Sequence, residues 1–169
     1  MVEIEVKIKI NAVSPIKEKI INSGAKLEKD RYYEENTLFD FPNHSLLKKS
    51  EALRLRTINK KYYLTYKGAP QRSRKFKIRK EYETEIKNGK QFKKILKSLN
   101  LVPVFQYNKH RTVYKSKNLK IFLDELSIGN FLELEGNQSD IVRFAKSLNL
   151  SKKDFIKTDY IQLLKKNST

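Results

Sequence analysis

A chain of 169 residues without a single cysteine has the length of one ordinary domain and can bury a core without disulfides, while thiolate metal sites are excluded outright. Only His44 and His110 offer imidazole, so a histidine-based zinc site is not expected, and a reducing compartment suits the chain. With 37 Lys and Arg against 19 Asp and Glu, the formal charge of +18 favours polyanionic partners: nucleic acid, acidic membrane surfaces or phosphorylated small molecules.

Charge does not choose among these, and scattered lysines such as Lys60, Lys93 and Lys152 read first as solvated surface. No apolar leader opens the sequence and no stretch approaches the roughly 18 apolar residues of a membrane helix, so a soluble, cytoplasmic protein with no membrane partner is expected.

The elements follow in order. Residues 2–10 alternate strictly, with Val2, Ile4, Val6, Ile8 and Ile10 on one face and Glu3, Glu5, Lys7 and Lys9 on the other, which predicts a strand. Ser14 and Pro15 supply an N-cap and a first-turn proline for a helix over about 15–23, stopped at Gly24. Strand patterns follow at about 31–40, 52–58, 61–67 and 76–87, broken by Pro42-Asn43, Asn59-Lys60 and Gly68-Ala69-Pro70. Phe92, Ile95, Leu96 and Leu99 at helical spacing predict a helix over 89–99. Strands at about 104–116, 119–126 and 130–136 come next, and helical patterns at about 138–148 and 151–165 close the chain. About eight strands with a few helices imply an α+β fold whose antiparallel sheet curls or closes, within one domain spanning residues 1–169.

A strand with one charged face is ordinarily half-buried, its charges meeting water. Here the pattern recurs with a particular composition. Arg54 and Arg56 alternate with Leu53 and Leu55, and Thr65 and Lys67 with Leu64 and Tyr66. Arg79, Glu81, Glu83 and Glu85 project from one side of one strand, and Glu133 and Glu135 oppose Leu132 and Leu134. Glu3/Glu5, Glu81/Glu83 and Glu133/Glu135 are thus like-charged neighbours roughly 7 Å apart, repulsive unless a cation sits between them. Mg²⁺ or Mn²⁺, which take carboxylate, water and phosphate oxygens, suit a chain so poor in His and Cys. Lys7, Arg54, Arg56, Lys67, Arg79, Lys109 and Arg111 would grip phosphate, by bidentate forks or as point charges. If the sheet closes, these faces meet in a lumen suited to a polyphosphate with metal ions. Hairpin register decides whether Lys109 and Glu85 face inward.

The run Glu3-Ile-Glu-Val-Lys7 resembles the E-x-E-x-K signature of the CYTH superfamily, the triphosphate tunnel metalloenzymes. It is followed in family order by Asp30-x-Tyr-Tyr33, Leu-Arg-Leu-Arg at 53–56, Leu-Thr-Tyr-Lys-Gly at 64–68, Arg79-x-Glu81-x-Glu83, Lys109-x-Arg111, Phe-Leu-Asp at 122–124, Gly-Asn-Phe-Leu-Glu-Leu-Glu at 129–135, and Tyr160 with Leu163-Leu164. The resemblance implies an eight-stranded antiparallel barrel with a charged lumen and helices packed outside. It implies Glu3, Glu5, Glu133 and Glu135 as metal ligands, and Glu81, Glu83 and Asp124 as ligands or their supports. Lys7, Arg54, Arg56, Lys67, Arg79, Lys109 and Arg111 would bind the substrate's phosphates. Lys7, beside Glu5, would either anchor phosphate or, if surrounding cations depress its pKa, deprotonate a water.

Such a site serves two reactions on a small triphosphate: hydrolysis of inorganic, thiamine or nucleoside triphosphate, or cyclisation of ATP to cyclic AMP and pyrophosphate. Hydrolysis is the first expectation, because no adenine-recognition motif is evident. The alternative from another class is a non-catalytic polyphosphate- or RNA-binding protein, suggested by the lysines and nine tyrosines. Monomer and homodimer both remain open, the tail helix being expected to cap its own sheet.

Overall fold

The computed structural model describes residues 2–167. Its strands are β1 (Val2–Ile10), β2 (Lys26–Asp40), β3 (Ala52–Ile58), β4 (Lys61–Lys67), β5 (Lys77–Ile86), β6 (Val102–Ser116), β7 (Leu119–Leu126) and β8 (Gly129–Glu135). Its helices are α1 (Val13–Asn22), α2 (Ser45–Lys48), α3 (Gly89–Ser98), α4 (Gln138–Ser147) and α5 (Tyr160–Asn167). The strands form a closed barrel in the order β1-β5-β4-β3-β2-β6-β7-β8, the α+β architecture expected. The chain divides into two compact units, the first mainly Tyr33–Gln71 and Arg79–Asn108, the second Glu3–Tyr32, Arg72–Ile78 and Lys109–Thr169.

In the first unit β3 pairs with β2 and β4, and β4 with β5, all antiparallel. The β3–β4 turn places both Asn59 and Lys60 at positive φ, the geometry of a two-residue hairpin whose twist matches its strands. Strand parity then separates the faces: Leu53 and Leu55 pack with Phe39, Leu96, Leu101, Tyr62 and Phe92 under α3, while Arg54, Arg56 and Thr65 lie on the other side. α3 is capped by the Asn88 side chain, which accepts from the Gln91 amide.

In the second unit β1 pairs antiparallel with β8, β8 with β7 and β7 with β6, with Lys7 opposite Glu133 and Arg111 opposite Asp124. Val6, Ile8 and Ile10 join Ile121, Leu123, Leu132 and Leu134 in a core closed by Ile20 of α1 and by Ile141, Phe144 and Ala145 of α4. Each fully buried aliphatic side chain there contributes roughly 1.5–3 kcal/mol. α1 and α4 take the apolar face.

Four expectations are corrected. α1 begins at Val13 after an extended Ala12 that makes no side-chain cap, so Ser14 and Pro15 fall inside the first turn, where a proline is tolerated. β2 starts at Lys26, five residues before the expected 31. α2 was not foreseen, since four residues carry no periodicity; buried Asp40 holds it by accepting from the amides of Leu46 (3.0 Å) and Leu47 (2.9 Å). The expected helix over 151–165 is helical only from Tyr160. Before it, Ile156 forms an antiparallel bridge with Lys7, its amide donating to Lys7 O at 2.7 Å, and strand pairing displaces the helix that spacing alone suggested.

Candidate active site

On the charged face of the second unit, Lys7 of β1 and Glu133 of β8 are direct cross-strand partners. Lys7 Nζ donates to Glu5 Oε1 at 2.9 Å and contacts Glu133 Oε2 at 3.0 Å. Arg111 of β6 reaches across β7 to Glu133 (3.1 Å) and binds Asp124 through Nε and Nη2, both at 2.6 Å. Lys109 Nζ adds a bond to Asp124 at 2.9 Å, and the Tyr160 hydroxyl donates to the same carboxylate at 2.8 Å. Lys77 of β5 contacts Glu5 at 3.2 Å and pairs with Asp159. Glu5, Lys7, Lys77, Lys109, Arg111, Asp124, Glu133 and Tyr160 are all buried.

Burial works against each of these charges, and the neighbours reverse it. Lys7 is held above the ordinary lysine value, because Glu133 and Glu5 outweigh its desolvation. Asp124 is held far below the carboxylate range, desolvation being outweighed by Arg111 and Lys109. The Tyr160 phenol is pushed well up by burial and by the charges of Asp124 and Glu133, which oppose a phenolate.

In the first unit, Thr65 Oγ1 donates to Glu83 Oε2 at 2.6 Å, the same oxygen that accepts from Arg56 Nη2 at 2.8 Å, and Arg54 contacts it at 3.6 Å. Arg56 also lies 3.7 Å from Glu34, which is completely buried, and Lys67 pairs with Glu81 at 2.6 Å. The Nε atoms of Arg54 and Arg56 are buried and make no hydrogen bond among the described residues. Arg79 is buried, whereas Glu83 and Glu85 reach solvent. Glu3 and Glu135 are partly exposed, Glu135 lying 3.7 Å from Lys120.

Two readings change with the geometry. Glu5, Glu81, Glu83, Glu133 and Glu135 are each met by a lysine or arginine of another strand, so repulsion within one strand is not by itself a case for a metal ion. Nor is every charged face free of apolar groups: buried Phe122 shares the face of Asp124, with its ring 4.1 Å from the Arg111 guanidinium, and buried Phe131 packs edge-on against Tyr160. Pattern reading missed Lys77, Glu34, Asp159 and the role of Tyr160. Lys77 and Glu34 were within reach of it, lying two residues before Arg79 and two before buried Asn36 on their strands. Asp159 carried no periodic signal.

A closed antiparallel barrel carrying a buried network of both charge signs on the second unit's charged face defines the class of fold. The chain belongs to the CYTH domain family, whose model matches residues 1–160. It is 30% identical over 174 residues to the Methanocaldococcus jannaschii protein named "Putative adenylate cyclase MJ0240", covering 96% of this chain and 98% of that one. The solved structure of the PH1819 protein from Pyrococcus horikoshii OT3 superposes with a TM-score of 0.82 at 26% identity, covering 98% and 99% of the two chains. An adenylyl cyclase-like protein of Hippeastrum, whose structure is described as revealing a dominant triphosphatase activity, matches with a TM-score of 0.69 over 98% and 96% of the chains; its 19% identity speaks for the fold alone.

Proposed function

We propose that this chain is a divalent-metal-dependent enzyme acting on a small triphosphate, with hydrolysis as its reaction. The observation that carries the reading is the pair of buried Nε atoms on Arg54 and Arg56 without hydrogen-bond partners among the described residues. Buried donors are costly to leave unmade, and guanidinium groups are suited to the oxygens of a phosphate chain. Lys67 and Arg79 are further candidate phosphate contacts in the first unit, and Lys109 and Arg111 are candidates in the second. Lys7, whose ammonium lies 2.9 Å from Glu5 and 3.0 Å from Glu133, joins them as a point-charge anchor.

Among the described residues no three acidic or histidine side chains gather as a ready-made metal cage. Mg²⁺, however, is usually held by one or two carboxylates together with substrate phosphates. Glu5 and Glu133, both in contact with the same ammonium at 2.9 and 3.0 Å, form such an oxygen pair, with Glu3, Glu135, Glu81 and Glu83 as further candidates. Asp124, saturated by Lys109, Arg111 and Tyr160, serves as the support that orients the basic residues. A bound Mg²⁺ or Mn²⁺ would neutralise phosphate charge and acidify a water. In hydrolysis, water oxygen bonds to the terminal phosphorus as the bond to the bridging oxygen breaks, releasing orthophosphate; the residues position and neutralise.

The name of the Methanocaldococcus relative favours a second reading, cyclisation of ATP by attack of a ribose hydroxyl on the α-phosphorus with loss of pyrophosphate. The deciding assay supplies tripolyphosphate, thiamine triphosphate and ATP with Mg²⁺ or Mn²⁺, and measures orthophosphate, pyrophosphate and cyclic AMP separately. Glu133→Gln should cost at least about a hundredfold in kcat, as removal of a group acting on transition-state charge does, while tripolyphosphate binding persists. Full turnover by that variant would remove Glu133 from the chemistry, whereas RNA binding with a steep salt dependence and no turnover by the wild type would replace the enzyme with a polyanion-binding module.

A further inference from the structure

The C-terminal segment reaches into the second unit's charged network in a way that packing alone does not require. Ile156 bridges the backbone of Lys7 and Asp159 pairs with Lys77. Tyr160 opens α5 with its side chain 6% exposed. Its ring centroid lies 5.0 Å from Lys7 Nζ and 4.9 Å from Lys109 Nζ, and its hydroxyl donates to Asp124 at 2.8 Å. One phenol therefore contacts two ammonium groups and the carboxylate that holds one of them.

We propose that Tyr160 is a positioning residue for triphosphate binding: its ring holds the Lys7 and Lys109 ammonium groups in place for phosphate oxygens, and its hydroxyl fixes Asp124. The inference rests on the triphosphate reading above. Three basic groups, Lys7, Lys109 and Arg111, share this region with the carboxylates of Glu133 and Asp124. The carboxylates already hold both lysines at 2.9–3.0 Å, and their full charge competes with phosphate for them. An aromatic face attracts a cation more weakly than a carboxylate does and carries no net charge. It can hold both lysines in place and still yield them to a phosphate chain.

The test varies the ring at constant shape. Tyr160→Phe removes the hydroxyl and keeps the ring; replacement of residue 160 by pentafluorophenylalanine keeps the shape and reverses the electrostatics of the ring face. Inorganic tripolyphosphate is titrated calorimetrically into each metal-free protein, and each is melted thermally. The fluorinated protein should bind tripolyphosphate at least about fivefold more weakly than Tyr160→Phe, the low end for two cation–π contacts, with melting temperatures alike. Equal affinity in the two proteins would leave Tyr160 a packing residue and overturn the proposal while the triphosphate reading stands. Failure of the wild type itself to bind tripolyphosphate both without metal and with Mg²⁺ or Mn²⁺ would overturn both. Tyr160→Phe also reports separately on Asp124: loss of the hydroxyl should raise KM for triphosphate more than it lowers kcat.

Discussion

Asp124 is completely buried and accepts from Lys109, twice from Arg111, and from Tyr160. Taking one charge out of such a network leaves the others buried and uncompensated, which costs far more than the pairing gains. Asp124→Ala should lower stability by about 3–5 kcal/mol, read from the urea midpoint at unchanged slope. Asp40 works differently. Its carboxylate accepts from the backbone amides of Phe41, Leu46 and Leu47 at 2.7, 3.0 and 2.9 Å. Its pKa is lowered, desolvation being outweighed by these three bonds. A carboxyl with a depressed folded pKa stabilises fully above its unfolded value, near 3.9, and loses that contribution as pH falls through the lower folded value. The stability difference between wild type and Asp40→Ala, about 1 kcal/mol for a lost cap, should therefore be flat from pH 7 to about 5 and shrink toward zero below that.

Among the elements, α3 depends on a close approach that only glycine permits. A Cβ on Gly89 would lie 2.4 Å from Cγ of Tyr62, on the neighbouring face of β4. Gly89→Ala should destabilise by about 1–3 kcal/mol through this overpacking, although alanine is the better helix former; thermal or urea unfolding would show it, and the double variant Gly89→Ala/Tyr62→Ala should regain part of the loss. The strands were the most legible elements. Period-two alternation and breaker pairs located β1, β3, β4 and β7 at their observed limits, because one face of each must be apolar whatever it packs against. The tail was least legible. Phe155, Ile156 and Tyr160 fit a helical stripe equally well, and only the competing partner, the backbone of Lys7, keeps Ile156 out of a helix that begins at Tyr160.

For the whole molecule, a ligand that binds only the folded chain stabilises it by mass action. Tripolyphosphate with Mg²⁺ at a hundredfold excess over its Kd should add about 2.7 kcal/mol, a rise of roughly 5–10 °C in melting temperature for a chain of this size, with orthophosphate much less effective. A calorimetric scan with and without the anion checks this; an unchanged melting temperature would remove triphosphate from consideration.

Strand alternation in the sequence by itself determined that apolar and charged residues would part onto opposite faces, and hence most candidate residues, including Glu5, Lys7, Arg54, Arg111 and Glu133. Parity is local, a consequence of side chains pointing alternately along a pleated chain. Which cation meets which carboxylate was decided only by tertiary structure: Lys7 with Glu133, Arg111 with Asp124, Lys77 with Glu5, and Tyr160 over two lysines. Those partners lie on different strands or on the tail, and register between strands, a property no single segment possesses, brings them into contact.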